Sequence, residues 1–173
     1  MPETPRMLHR AIISATLLLI TLLSNALGQA QAPPAQKDAM TKHATGPFEV
    51  KITPLPNDDK SETPLGRMSI DKQLHGDLEG TSRGEMLTAG TTEKNSGAYV
   101  AVERVTGTLN GKIGTFILQH SATMDRGVPH LLITVVPDSG TGQLKGITGT
   151  FNVIIAKDGK HSYDFEYTLP ETQ

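Results

Sequence analysis

Residues Tyr99–Thr123 read YVAVERVTGTLNGKIGTFILQHSAT, and this stretch decides the fold class. Two runs rich in β-branched residues flank Asn110-Gly111, a dipeptide suited to the positive φ angles of a type I′ turn. A strand sends successive side chains to opposite faces, so these runs predict an antiparallel hairpin rather than a helix. In the first run Tyr99, Ala101, Glu103 and Val105 share one face; in the second Phe116, Leu118 and His120 do.

The same grammar extends outward. Phe48, Val50 and Ile52 alternate with polar residues in a first strand that ends at Pro54 and Pro56. Met68, Ile70 and Leu74 share a parity that Lys72 interrupts, and Glu85–Ala89 reads as a short third strand between glycines. Leu131–Val136, Thr150–Ala156 and His161–Leu169 complete the series, punctuated by Arg-Gly-Val-Pro, Ser-Gly-Thr-Gly and Asp158-Gly159, the last a second expected type I′ turn. About eight strands with short connections predict an all-β protein, a small closed antiparallel β-barrel, because closure removes the edges on which exported β proteins aggregate. A β-sandwich satisfies the same pattern.

The N-terminus obeys different rules. Arg6, His9 and Arg10 precede the apolar run Ala11–Leu23, short for a membrane span and suited to the core of a signal peptide. Ala26 and Gly28 fit small-x-small cleavage after Gly28, whereas cleavage after Ala32 would place Pro33 immediately downstream. Residues 1–28 are therefore expected to be a signal peptide, 29–46 a disordered Gln/Ala/Pro linker, and 47–170 the single domain. The mature protein is expected to be exported, periplasmic or secreted, without a stable membrane span. An uncleaved anchor is the alternative.

Composition bounds the chemistry. The chain has 16 Lys+Arg against 18 Asp+Glu; loss of Arg6, Arg10 and Glu3 with the leader leaves 14 against 17. So mild a balance argues against a nucleic-acid partner. There is no cysteine, which excludes disulfides, a thiolate nucleophile and thiolate zinc ligation. The six histidines show neither HxH nor HExxH spacing, so neither metal nor cofactor is expected.

Glu103 and His120 are the candidate catalytic residues. If their faces point inward, a carboxylate and an imidazole enter an apolar barrel; burial would raise the first pKa and lower the second, and pairing would oppose both shifts. The plainer expectation is that Glu103 pairs with Arg104, Arg126 or a lysine at the mouth and that His120 is a hydrogen-bonded wall residue. Tyr99, Glu103, His120, Tyr163 and Tyr167 form the candidate ligand-binding set, although alternating aromatics such as Tyr163 and Tyr167 also suit an ordinary core. Ser139-Gly-Thr-Gly142 opens no helix and reads as a turn rather than an anion nest.

A motif recurs: Gly107-Thr-Leu-Asn-Gly111-Lys-Ile-Gly114-Thr-Phe116, then Gly142-Gln-Leu-Lys-Gly146-Ile-Thr-Gly149-Thr-Phe151, with a looser copy at Gly76-Asp-Leu-Glu-Gly80. With FEVK at Phe48–Lys51, VPDSGTGQLKGITGTF at Val136–Phe151 and KHSYDFEYTLP at Lys160–Pro170, it resembles a bacterial family of uncharacterised proteins with an allene-oxide-cyclase-like β-barrel. The resemblance implies a lipocalin-like closed barrel and no established activity, since fold does not carry function. No catalytic motif of the plant cyclases can be matched here residue by residue.

The leading expectation is non-catalytic binding of a small, mostly apolar ligand in the barrel. One alternative is a cofactor-independent isomerase or cyclase using the Glu103/His120 pair. Another is a structural homo-oligomer of the cell envelope, suggested by Ile117-Leu118 and Leu131–Val136, which are apolar on both faces.

Overall fold

The computed structural model describes residues 40–63 and 65–170. The signal peptide expected at 1–28 and residues 29–39 of the linker expected at 29–46 lie outside the described residues. Strands β1 (Lys42–Pro54), β2 (Leu65–Leu74), β3 (Leu78–Gly90), β4 (Gly97–Leu109), β5 (Lys112–Asp125), β6 (Val128–Val135), β7 (Thr148–Ile155) and β8 (His161–Thr168) form an antiparallel meander. β1 pairs with β2 and also with β8, from Lys42↔Tyr167 to Phe48↔His161, so the sheet closes into an eight-stranded barrel and the sandwich is ruled out.

Two strands are longer than their sequences announce. β1 starts at Lys42, inside the segment expected to be linker. Its inward positions there carry only Ala44 and Gly46, which give no hydrophobic period, and the ladder to β8 holds it instead. β3 runs from Leu78, well before Glu85, because Gly80, Ser82 and Gly84 fill its inward positions. Between two neighbouring strands its backbone groups are satisfied without apolar alternation.

The turns divide differently from their dipeptides. Asn110 and Gly111 both have positive φ, as a type I′ turn demands. So do Arg126 and Gly127, the two residues between β5 and β6. Asp158 does not: only Gly159 is left-handed, in a five-residue loop closed by Gly159 N donating to Ala156 O. The reason is loop length, since such loops are built around ordinary rather than mirror-image turns.

The recurring motif seals one end of the barrel. Its leucine is Leu78, Leu109 or Leu144 in the three copies, and each is fully buried; its phenylalanines, Phe116 and Phe151, stack on Phe165 and Tyr163 with centroids 5.5 and 5.1 Å apart. Full burial of such a side chain contributes about 1.5–3 kcal/mol. Its glycines let backbones meet: Gly80, Gly107 and Gly114 lie opposite one another across β3, β4 and β5. A Cβ on Gly107 would fall 2.3 Å from Glu79 O.

The barrel is weakest between β6 and β7, which share the single pair Thr134↔Thr150. Below it the connection 136–147, with one 3-10 turn at Gly142–Leu144, takes the place of a strand. Ser139 Oγ, Thr141 Oγ1 and Gln143 Oε1 accept hydrogen bonds from the backbone N–H groups of Ile117, Thr115 and Ile113 at 3.0, 3.0 and 2.8 Å. Ser-Gly-Thr-Gly is thus a turn whose alternate side chains cap the lower edge of β5.

Candidate functional site

The other end of the barrel is open. Inward positions that would be core in a sealed barrel are left wet there, Ile52 and Leu131 being 50% and 45% exposed. Below them lies a cavity of about 540 Å³, walled by Val50, Ile70, Met86, Tyr99, Ile133 and Val153, with Lys72 and His120 also lining it. Its volume falls within the roughly 300–1,000 Å³ typical of small-molecule pockets.

The floor is a buried polar cluster. Glu103, 1% exposed, projects from β4 between Gly84 of β3 and Leu118 of β5. Lys72, 6% exposed, reaches it from β2 with Nζ 2.6 Å from Oε1. His120 Nε2 lies 3.1 Å from the same oxygen, and Ser82 Oγ donates to Oε2. Both carboxylate oxygens are therefore engaged by three donors. The Lys72 ammonium also sits over the faces of Phe48 and Phe151, 5.5 and 5.8 Å from their centroids, where ring quadrupoles favour a cation.

Electrostatics follow from that geometry. Burial pushes the Glu103 carboxyl upward, but the His120 hydrogen bond, the Lys72 charge and the remaining contacts with both outweigh it and hold the pKa at about 2. A carboxylate so fully engaged is a poor proton acceptor at neutral pH. Tyr99, half-buried with its ring 6.2 Å from that of His120, has its phenol pushed above the ordinary 10 by burial and then by the Glu103 charge. Because a carboxylate only accepts, His120 donates through Nε2, and its Nδ1 makes no hydrogen bond among the described residues.

The sequence-derived set is split by this arrangement. Tyr99, Glu103 and His120 come together at the floor, with Tyr99 and His120 on the cavity wall and Glu103 just beneath. Tyr163 and Tyr167 do not join them. The Tyr163 hydroxyl donates to His75 O and accepts from Leu78 N, both at 2.9 Å, and Tyr167 accepts from Asn110 Nδ2 at 3.0 Å. Each tyrosine pins a hairpin turn at the sealed end, because β8 runs from the mouth to that end and its later residues are carried past the cavity. The partner of Glu103 is neither Arg104 nor Arg126 but a lysine, in the wall rather than at the mouth.

Lys72 and Ser82 are the residues that sequence reasoning missed. Lys72 had a signal: a lysine sharing parity with Met68, Ile70 and Leu74 is either misplaced or paired with an inward carboxylate. Ser82 is the central residue of Gly80-Thr-Ser-Arg-Gly84, a G-x-S-x-G string, but that string lies inside β3 rather than at a strand-to-helix turn, and the half of the strand around it carries no apolar pattern.

A model of the family described as "Protein of unknown function (DUF3224)" matches residues 44–167. The chain is also similar to the crystal structure of a protein with unknown function from the DUF3224 family of Shewanella oneidensis MR-1. That protein is 41% identical with a TM-score of 0.73, and the match covers 77% of this chain and 100% of the other. No curated protein matches the chain.

Proposed function

The chain belongs to the DUF3224 family, and we propose that it is an exported, non-catalytic binding protein that holds a small, mostly apolar molecule in the open end of its barrel. One observation carries the reading: a cavity of about 540 Å³ with apolar walls, an exposed apolar rim and two polar side chains at its floor. The allene-oxide-cyclase likeness is kept as one of barrel shape and brings no chemistry. An isomerase using Glu103 as general base is less favoured, because that carboxylate is covered, fully bonded and held near a pKa of 2.

A second observation favours self-association alongside binding. Leu87, Val100, Val102 and Leu132 lie together on the outer wall of the sheet, each more than half exposed. A patch of this kind on an exported protein suits a homo-oligomer.

Native mass spectrometry of protein purified from the exported fraction of its host tests these points together. The expected spectrum shows a polypeptide beginning at Gln29, a retained small molecule and a mass above that of the monomer. A mass beginning at Met1 contradicts cleavage after Gly28, absence of the protein from the exported fraction contradicts export, and a strict monomer contradicts self-association. Ligand-free protein that also takes up no neutral apolar dye contradicts the binding role.

A further inference from the structure

The charge of the cavity wall narrows the occupant, an inference that rests on the binding role above. Lys72, Tyr99, His120, His130 and His161 are the ionisable side chains lining the cavity, and among the described residues no carboxylate lines it. Glu103 lies just beneath, but its oxygens are taken by Lys72, His120 and Ser82, so it balances charge from below without offering an acceptor to the cavity.

What faces upward is complementary to an anion. An ammonium carries three N–H bonds, and Lys72 spends one on Glu103. His120 gives Nε2 to Glu103 and has Nδ1 left over. In its neutral form Nδ1 accepts from a protonated carboxyl; in its charged form it donates to a carboxylate. The same single proton completes the contact either way.

We infer that the ligand is a monocarboxylate amphiphile, with its carboxyl group on Lys72 and His120 at the floor and its apolar chain running between the walls towards the rim. Glu103 is then a positioning residue that holds both basic side chains. An ammonium head would meet Lys72 at the floor and bind worst. A hydroxyl would still accept from the Lys72 ammonium but carries no negative charge of its own, so it forgoes the ion-pair attraction that a carboxylate adds to that hydrogen bond.

Isothermal titration of the wild-type protein with decanoate, decanol and decylammonium tests this, since the three differ only in the head group. The expected order is decanoate, then decanol at roughly tenfold weaker affinity or more, then decylammonium, the gap reflecting one charge-assisted contact. In a folded Lys72→Met/Glu103→Gln double variant the ratio of decanoate to decanol affinity should fall towards one. Equal wild-type affinities, tightest binding of decylammonium, or a ratio unchanged in that variant would each overturn the anion assignment while leaving an apolar site. Failure of all three probes would overturn the binding role itself.

Discussion

Lys72 and Glu103 stabilise one another only as a pair. Removing the lysine leaves a carboxylate in a low-dielectric wall, and breaking a buried ion pair from one side costs about 3–5 kcal/mol, whereas replacing both partners with uncharged residues is often close to neutral. Urea denaturation is therefore expected to show Lys72→Met losing about 3–5 kcal/mol and the Lys72→Met/Glu103→Gln double variant recovering most of it. Equal losses in the two would contradict the pairing. The pair also sets a pH dependence. The folded-state pKa of Glu103 is about 2 against an ordinary 4.5, so the unfolded chain binds the proton more readily. The resulting stability, roughly 3 kcal/mol, is fully present above about pH 4.5 and is lost as the pH falls towards 2. Acid denaturation followed from pH 5 to pH 2 should show the wild type losing about that much more stability than the double variant. At this scale strand parity made Glu103 and His120 legible as inward groups on neighbouring strands. The identity of their partner was not legible, because register between distant strands decides which lysine arrives. Tyr163 and Tyr167 have the right parity but the wrong height, and parity carries no information about depth along a barrel.

Among the elements, the recurring Gly-x-Leu motif does more than punctuate. Its leucines plug the sealed end, and its glycines let β3 meet β4, and β5 meet the 136–147 connection, at a distance that admits no Cβ. Gly107→Ala sets a methyl group against Glu79 O and is expected to lower stability by about 1–3 kcal/mol, the usual cost of overpacking. Gly90→Ala, where a Cβ meets nothing within 4 Å, serves as the control and should leave the urea midpoint almost unchanged. Similar midpoints for the two would contradict the close-approach account. Strands with apolar alternation, such as β4, β5 and β8, were legible with small errors at their ends. The first half of β3 and the start of β1 were not, because small inward residues erase the period while the ladders on either side still satisfy the backbone. The Ser139-x-Thr141-x-Gln143 edge cap was legible only as a turn. Its role depends on β5 lying alongside, which no local pattern encodes.

For the whole molecule, closure produces an asymmetry: one end is filled by leucines and stacked aromatics, and the other is left open over a charged floor. Strand count and turn chemistry pointed to closure in advance, but which end fills and which stays hollow depends on packing between residues far apart in sequence. Two of the methionines report on the hollow end directly. Met86 and Met124 line the cavity, while Met40 lies 78% exposed ahead of β1. The most direct measurement is a methionine-methyl NMR titration with decanoate. The account predicts saturable shifts at Met86 and Met124 with Met40 unmoved, and shifts confined to Met40, or none at any methionine once decanoate is bound, would contradict it.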